Sequence, residues 1–240
     1  DKNLNVMFHK LFKSPEEFLN KNIVILHHST NEEEFIDTFY KDYKDNLKFK
    51  FTPVGYSDDD VYLAPQDNPM YDIMWVGGEN DSNKKTGDKK NSRKEIIGKY
   101  FNNDSLNSSV IGGWSDETKK EFSDINFLGA LGNHGTAYKF FNSSYSTFLC
   151  SSQLSERIGL LVTRMTMALR ANSVCIANKG LYKLEEYINP KYIVENKEEL
   201  AKAIEEIKSL SKHERQEVCQ SQLKNFTRWK DIEWEAILKR

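Results

Sequence analysis

Short apolar runs alternate with amphipathic segments along most of the 240 residues, and this alternation most restricts the fold. The apolar runs typical of strands are NIVILHH (22–28), LKFKFTPV (47–54), DIMWV (72–76), SVIGGW (109–114), INFLGAL (125–131), STFLCSS (146–152), SVCIAN (173–178) and KYIV (191–194). Helical patterns begin near Asn31 and cover 92–102, 134–142, 157–171, 180–187 and the tail 196–238, with a break near Ser211. Strands separated by helices indicate a parallel sheet with helices on both faces. The sequence therefore predicts an α/β fold.

Glycines follow three of the predicted strands. They are the pairs Gly77-Gly78 and Gly112-Gly113, and the GALGNHG loop at 129–135. In a parallel sheet the carboxyl ends of the strands share one edge, and ligands bind beyond that edge. Because glycine lets the backbone approach a ligand closely, three such loops together predict a ligand crevice.

A cationic stretch follows the first glycine pair. It contains Lys84, Lys85, Lys89, Lys90, Arg93 and Lys94. The helix that starts behind it offers unpaired N–H groups, so the region suits an anion such as a diphosphate. Two alternatives stay open, a solvated connecting loop and a contact with DNA phosphates. Interleaved aspartates and the lack of aromatic residues weaken the second alternative.

Composition excludes some classes of protein. The net charge of −2 means that any nucleic-acid contact must come from local patches. The three cysteines, Cys150, Cys175 and Cys219, lack metal-ligand spacing, and we expect reduced, mostly buried thiols in a cytosolic compartment. No apolar run reaches the length of a membrane span.

Other constellations give weaker signals. His27 and His28 end a strand and point to opposite faces, so a structural pair is favoured over a metal site. Asp58, Asp59 and Asp60 indicate a solvated linker. His134, in the GALGNHG loop, could touch a phosphate or a sugar. Neither a catalytic triad nor zinc spacing is present, so the sequence predicts no metal site. The tryptophans Trp114, Trp229 and Trp234 are expected to be core or helix-packing residues, in preference to platforms for base stacking.

In their order, these segments resemble the phage DNA β-glucosyltransferase family, which has the GT-B architecture of two Rossmann-like halves around a cleft. NKNIVILHHSTNEEEFIDTFYKDYKDNLKFKFTPVGY is similar to the family's strand, helix and strand before the domain linker, and YDIMWVGGENDSN to its glycine-pair entry into the carboxyl-terminal half. INFLGALGN is similar to its base-contacting loop. The segment from LLVTRMTM to AKAIEEI is similar to its arginine-bearing helix, strand and helix, and KNFTRWKDIEWEAILKR to its final helix.

The resemblance covers about two thirds of a family member and implies a domain organisation. Residues 1–56 would be a remnant of the acceptor-side domain, 57–70 a linker, 71–215 the donor-binding domain and 216–240 a helix packing back toward the amino-terminal domain. The carboxyl-terminal half is expected to be complete and the amino-terminal half largely missing.

The resemblance also implies an activity. A sugar, glucose in the family, would move from a UDP-sugar donor to a hydroxymethylated pyrimidine of duplex DNA, with the target base flipped out of the helix. A divalent ion such as Mg²⁺ could assist the departing diphosphate, although no ligand set is visible. We expect a monomer in the cytoplasm, the host's if the chain is phage-encoded.

The resemblance also implies site residues, at the positions of this sequence that match the family's. Arg164, in LVTRMTM, aligns with the arginine that grips the donor's diphosphate, and its alternative is an ordinary helix-surface arginine. Gly77 and Gly78 match the family's glycine pair. Arg93 is the best candidate for the arginine behind that pair, with Lys90 or Lys94 as alternatives. The backbone of Leu131 matches a position that meets the nucleotide base.

The sequence departs from the family's pattern at two functional positions. The family's glutamate that holds the ribose hydroxyls aligns with Met167, beside Thr166, so Glu156 could take its role, the donor could differ, or affinity could be poor. The catalytic aspartate of the amino-terminal half cannot be assigned. Two alternatives therefore remain, a non-catalytic nucleotide- or sugar-binding subunit and a GT-B transferase acting on another acceptor, such as a surface glycan.

Overall fold

The computed structural model describes residues 23–57, 63–79, 93–130, 134–149 and 153–238. A small parallel pair of strands comes first, β1 (Val24–His27) with β2 (Lys48–Phe51), joined through helix α1 (Glu32–Phe39). The side chain of Asn31 accepts a hydrogen bond from the backbone N of Glu34, as the predicted cap requires. Next comes the short strand β3 (Gly55–Tyr56).

The larger unit contains the remaining strands and helices of the described ranges. In chain order they are β4 (Tyr71–Val76), α2 (Arg93–Tyr100), β5 (Ser108–Ile111), α3 (Asp116–Glu121), β6 (Asn126–Phe127), α4 (His134–Asn142), β7 (Ser144–Leu149), α5 (Gln153–Ile158), α6 (Arg164–Arg170), β8 (Val174–Asn178), β9 (Ile193–Val194), α7 (Lys197–Ser209), α8 (Lys212–Leu223), β10 (Thr227–Arg228) and α9 (Trp234–Leu238). Short 3₁₀ turns occupy Lys41–Tyr43, Leu184–Glu186, Pro190–Tyr192 and Trp229–Asp231.

Six strands form one wholly parallel sheet in the order β6-β5-β4-β7-β8-β9. Relative to their order in the chain this is 3-2-1-4-5-6, the arrangement of the doubly wound dinucleotide-binding folds. The strand order reverses between β4 and β7. The predicted α/β fold with a parallel sheet is confirmed.

The sheet forms the core because its central strands are buried on both faces. Residues of β4, β5 and β8 are buried almost throughout, as expected for strands covered by helices on each side. Phe141 of α4 and Ile204 of α7 are fully buried against this sheet. No helix within the described ranges has the length and apolar character needed to cross a membrane.

The helical prediction for 157–171 was wrong. The chain leaves α5 at Gly159, whose φ of +63° lies in the left-handed region, and α6 begins only at Arg164. The intervening segment instead binds the loop after β1. Backbone N of Thr30 donates to Gly159 O at 2.9 Å, and N of Leu161 donates to His28 O at 3.3 Å. Tertiary contacts therefore override the helical pattern.

The carboxyl-terminal tail also differs from its prediction. The predicted break at Ser211 is confirmed, and this residue caps α8 through a reciprocal capping box with Glu214. Residues 224–233 are not α-helical. They contain β10, which pairs with β3 in parallel, and a 3₁₀ turn at Trp229–Asp231. Of the helix predicted at 180–187, only the 3₁₀ turn Leu184–Glu186 forms, and helix α3 was not predicted.

Candidate functional site

The glycine-bearing strand ends meet at the carboxyl edge of the sheet, as predicted. Backbone N of Gly77 donates to Ile111 O at 2.7 Å, and N of Gly112 donates to Gly129 O at 2.7 Å. A glycine is required at position 112 for the two strand ends to come this close. A Cβ at Gly112, whose φ is +152°, would lie 2.2 Å from the carbonyl oxygen of Gly77.

Arg164 lies directly beside the first glycine pair. It is the first residue of α6, is half-buried, and donates from Nη1 to the carbonyl oxygen of Val76, the last residue of β4. A Cβ on Gly77 would lie 3.0 Å from the same nitrogen. The head group therefore points at the strand end instead of lying on a solvated helix face.

Arg93 approaches the same pair from α2. Its Nη1 donates to the carbonyl oxygen of Gly78 at 2.8 Å. The backbone carbonyls on either side of Gly77, those of Val76 and Gly78, thus hold two guanidinium groups in place. Two cations are concentrated at one strand end, where a planar fork can engage phosphate oxygens at two points.

Both arginines line one cavity of ≈ 200 Å³. Trp75 of β4 and Leu149 of β7 also line it, which places the cavity where the strand order reverses. Open α/β sheets bind their ligands at such a point. The volume is below the about 300–1,000 Å³ typical of whole-ligand pockets, so it suits part of a nucleotide sugar.

The cavity wall is mainly apolar, with two further polar residues, Ser155 and Asn178. Asn178 is the last residue of β8 and is 7% exposed. Its Nδ2 donates to Glu156 Oε1 at 2.7 Å. Glu156, predicted as a donor contact, therefore lies directly behind a residue of the cavity wall.

Glu79 fastens the loop that carries the glycine pair. Its carboxylate accepts hydrogen bonds from backbone N of Ser115 and from Thr118 Oγ1, both at 2.6 Å. Burial raises the pKa of Glu79, but the hydrogen bonds from Thr118 and Ser115 and the charge of Lys94 outweigh it, so the pKa lies below its ordinary value. The ionised carboxylate ties β4 to the start of α3.

The structure gives no carboxylate at the aligned ribose position. Met167 lies in α6 and packs against the hydrophobic core. Within the described ranges, no three His, Cys, Asp or Glu side chains could hold a metal ion together. The positive charge of the described part of the site comes from Arg164 and Arg93.

Several predicted positions lie outside the described residues. They are Asp58, Asp59, Asp60, Lys84, Lys85, Lys89, Lys90 and Leu131, together with the side chain of His134. The histidine pair is described. His27 Nε2 contacts Glu32 Oε2 at 2.9 Å, and His28 Nδ1 contacts Thr52 O at 2.7 Å, which supports the structural role.

The sequence alone did not single out Trp75, Glu79 or Asn178. For each of them, the sequence offers one feature that indicates a place in the site: it lies at or just beyond the carboxyl end of a predicted strand. That signal does not separate them from other strand-end residues, because their roles depend on partners from other elements.

Fold and site together define a Rossmann-like α/β sheet with an arginine- and glycine-lined edge at its switch point. No protein family and no curated protein matches the sequence. Solved structures do match. The chain is similar to the DNA modifying enzyme β-glucosyltransferase, studied with and without uridine diphosphoglucose, at TM-score 0.66 and 15% identity over 89% of this chain and 67% of that one.

Two further structures extend the likeness. One is T4 phage BGT in complex with UDP and Mn²⁺, at TM-score 0.64 and 14% identity, covering 90% of this chain and 62% of that one. Another is the pneumococcal O-GlcNAc transferase GtfA with UDP and GlcNAc, at TM-score 0.54 and 12% identity, covering 84% and 41%. At these identities the likeness establishes the fold, and this chain spans about two thirds or less of each matched protein.

Proposed function

We propose that the chain is a UDP-sugar-dependent hexosyltransferase whose larger unit binds the donor. One observation carries the proposal: Arg164 and Arg93 converge on the Gly77-Gly78 strand end, beside a cavity at the switch point of the sheet. A diphosphate carries the charge that two guanidinium groups neutralise, and the glycines leave room for its oxygens.

The chemistry follows from that placement. A hydroxyl of the acceptor attacks the anomeric carbon, the bond from that carbon to the diphosphate breaks, and the configuration inverts. A carboxylate, which we do not assign, takes the hydroxyl proton. Arg164 and Arg93 stabilise the negative charge that develops on the departing UDP. The apolar wall around Trp75 limits water near these charges, which strengthens their interaction with the diphosphate.

The proposed acceptor is a hydroxymethylated pyrimidine in duplex DNA. Support comes from the similarity to a DNA modifying β-glucosyltransferase. The other predicted donor contacts, Leu131 and His134, belong to the same proposal, as do a donor-binding domain at 71–215 and a tail at 216–240 that packs toward the amino-terminal part. The pairing of β10 with β3 supports that placement of the tail.

A second candidate is a transferase for another acceptor, such as a glycan. The likeness to the pneumococcal O-GlcNAc transferase favours it. A third is a non-catalytic nucleotide-binding subunit. The apolar Met167 at the aligned ribose position favours that candidate, because a methionine cannot accept hydrogen bonds from a ribose as a carboxylate does.

A transfer assay separates the candidates. The protein is incubated with radiolabelled UDP-glucose and duplex DNA that contains 5-hydroxymethylcytosine, with unmodified DNA and a glycan panel in parallel. Label on the hydroxymethylated DNA alone is the expected result, and label on a glycan would favour the second candidate. UDP binding without any transfer would favour the binding subunit, and the absence of UDP binding would overturn the proposal.

A further inference from the structure

Asn178 lines the same cavity as the two arginines. It is more than nine-tenths buried, and one of its amide donors is fixed on the carboxylate of Glu156, at 2.7 Å. The same Nδ2 lies 3.3 Å from the carbonyl oxygen of Lys179. Because Nδ2 donates to these two acceptors, the atom that can bind a ligand hydroxyl is the amide oxygen Oδ1, which has two acceptor sites.

The turn after β8 leaves room for Glu156. A Cβ on Gly180, whose φ is +132°, would lie 3.0 Å from Glu156 Cδ and 3.2 Å from each carboxylate oxygen. The backbone carbonyl of Glu156 also accepts a hydrogen bond from N of Tyr182 at 3.3 Å. The carboxylate is therefore enclosed by the turn, and its position beside Asn178 is determined by the fold.

We infer that Asn178 binds hydroxyl groups of the donor and that Glu156 is the positioning residue that orients the Asn178 amide. The inference rests on the proposed function, since the donor supplies the hydroxyls. The aligned ribose position offers no such hydrogen bond, because Met167 packs against the core there. Vicinal hydroxyls occur on the ribose and on the hexose of a nucleotide sugar, and both share this chemistry.

Calorimetry with matched ligands tests the assignment. The ribose arm compares UDP with 2′-deoxy-UDP and 3′-deoxy-UDP, and the hexose arm compares UDP-glucose with its monodeoxyglucose analogues. In the wild-type protein, loss of the contacted hydroxyl should weaken binding about three- to tenfold, the effect of one neutral hydrogen bond. The arm that shows this preference identifies the source of the hydroxyl.

Variants of Asn178 and Glu156 then show whether these residues cause the preference for the ligand with the hydroxyl. Asn178→Ala and Glu156→Ala should reduce the preference to about one, because neither leaves an oriented amide in the cavity. Glu156→Gln keeps an acceptor for the Asn178 amide and should retain the preference. Glu205→Gln, an exposed change on α7, serves as the matched control. A general loss of protein stability does not change the ratio of the affinities for two ligands. The ratio therefore distinguishes a role in positioning Asn178 from a role in folding.

The possible negative results distinguish failure of this inference from failure of the proposed function. If the wild-type protein binds UDP and Arg164→Ala weakens that binding, but Asn178→Ala keeps the wild-type ratios in both arms, the inference is overturned and the proposed function stands. If the wild-type protein binds neither UDP nor UDP-glucose, both are overturned.

Discussion

At the scale of single residues, Gly77 is packed tightly against two side chains of the candidate site. A Cβ there would lie 2.9 Å from Trp75 Cζ2 and 3.0 Å from Arg164 Nη1. Trp75 is only 3% exposed and cannot move aside easily. The absence of a side chain is therefore what allows the guanidinium to reach the end of β4.

Two adjacent glycines give a matched test of this packing. Gly112→Ala should destabilise the protein by about 2–4 kcal/mol, because its Cβ would meet the Gly77 carbonyl in a backbone conformation that disfavours alanine. Gly113→Ala should be nearly neutral, since nothing lies within 4 Å of the added Cβ. Urea unfolding measures both. Equal midpoints for the two variants would contradict the described geometry.

The buried thiols are expected to be unreactive in the folded protein. Cys175 and Cys219 are fully buried, and burial raises the pKa of both thiols, that of Cys219 to about 12. In a Cys150→Ser variant at pH 8, Ellman's reagent should therefore react only after denaturation. Rapid release of two equivalents from the native variant would show that the thiols are accessible.

At the scale of elements, Gly159 shows where the sequence is insufficient. The apolar pattern of 157–171 fits a helix, and nothing local marks the break except one glycine. The cause lies 129 residues away in the chain, where Thr30 Oγ1 donates to the Gly159 carbonyl oxygen at 3.2 Å. Strands β4, β7 and β8 were predictable because their apolar runs are local, whereas this docking contact is not.

Replacement of Gly159 tests the docking contact. Gly159→Ala should cost about 1–3 kcal/mol, from the positive φ and from a Cβ placed 2.1 Å from Thr30 Oγ1. Leu160 and Val162 follow it and line the cavity, so UDP affinity should fall as well. Thermal denaturation and calorimetry measure the two effects, with Gly113→Ala as the control. An unchanged melting temperature would refute this account of the break.

The link between β4 and α3 predicts a dependence on pH. The pKa of Glu79 lies below its ordinary value of 4.5, so its ionised form stabilises the fold above that pH. The contribution is lost as pH falls through the lowered pKa. Glu79→Gln should therefore be less stable than wild type at pH 7, and this difference in stability should disappear as pH falls below 4.5 and through the lowered pKa. Urea unfolding midpoints measured across this pH range test the link, with Glu117→Gln as the control. A difference in midpoint between wild type and Glu79→Gln that does not change with pH would contradict it.

At the scale of the whole molecule, the sequence predicted the α/β class, the parallel sheet and the shared edge of the glycine loops. These features follow from local periodicity and from the geometry common to parallel sheets. The pair of Asn178 with Glu156 and the pairing of β10 with β3 join distant segments, and no local pattern indicates them. The domain boundaries and the donor contacts stay predictions.

Calorimetric titration of UDP into wild type, Arg164→Ala, Arg93→Ala and the control Arg228→Ala tests the central claim most directly. Arg228 lies on β10 and pairs with Asp231, so its loss removes one positive charge without touching the cavity. We predict that Arg164→Ala loses on the order of 2 kcal/mol, roughly 30-fold in affinity, with a similar loss for Arg93→Ala and little change for Arg228→Ala. Equal affinity in all four proteins would contradict a diphosphate site at the Gly77-Gly78 strand end.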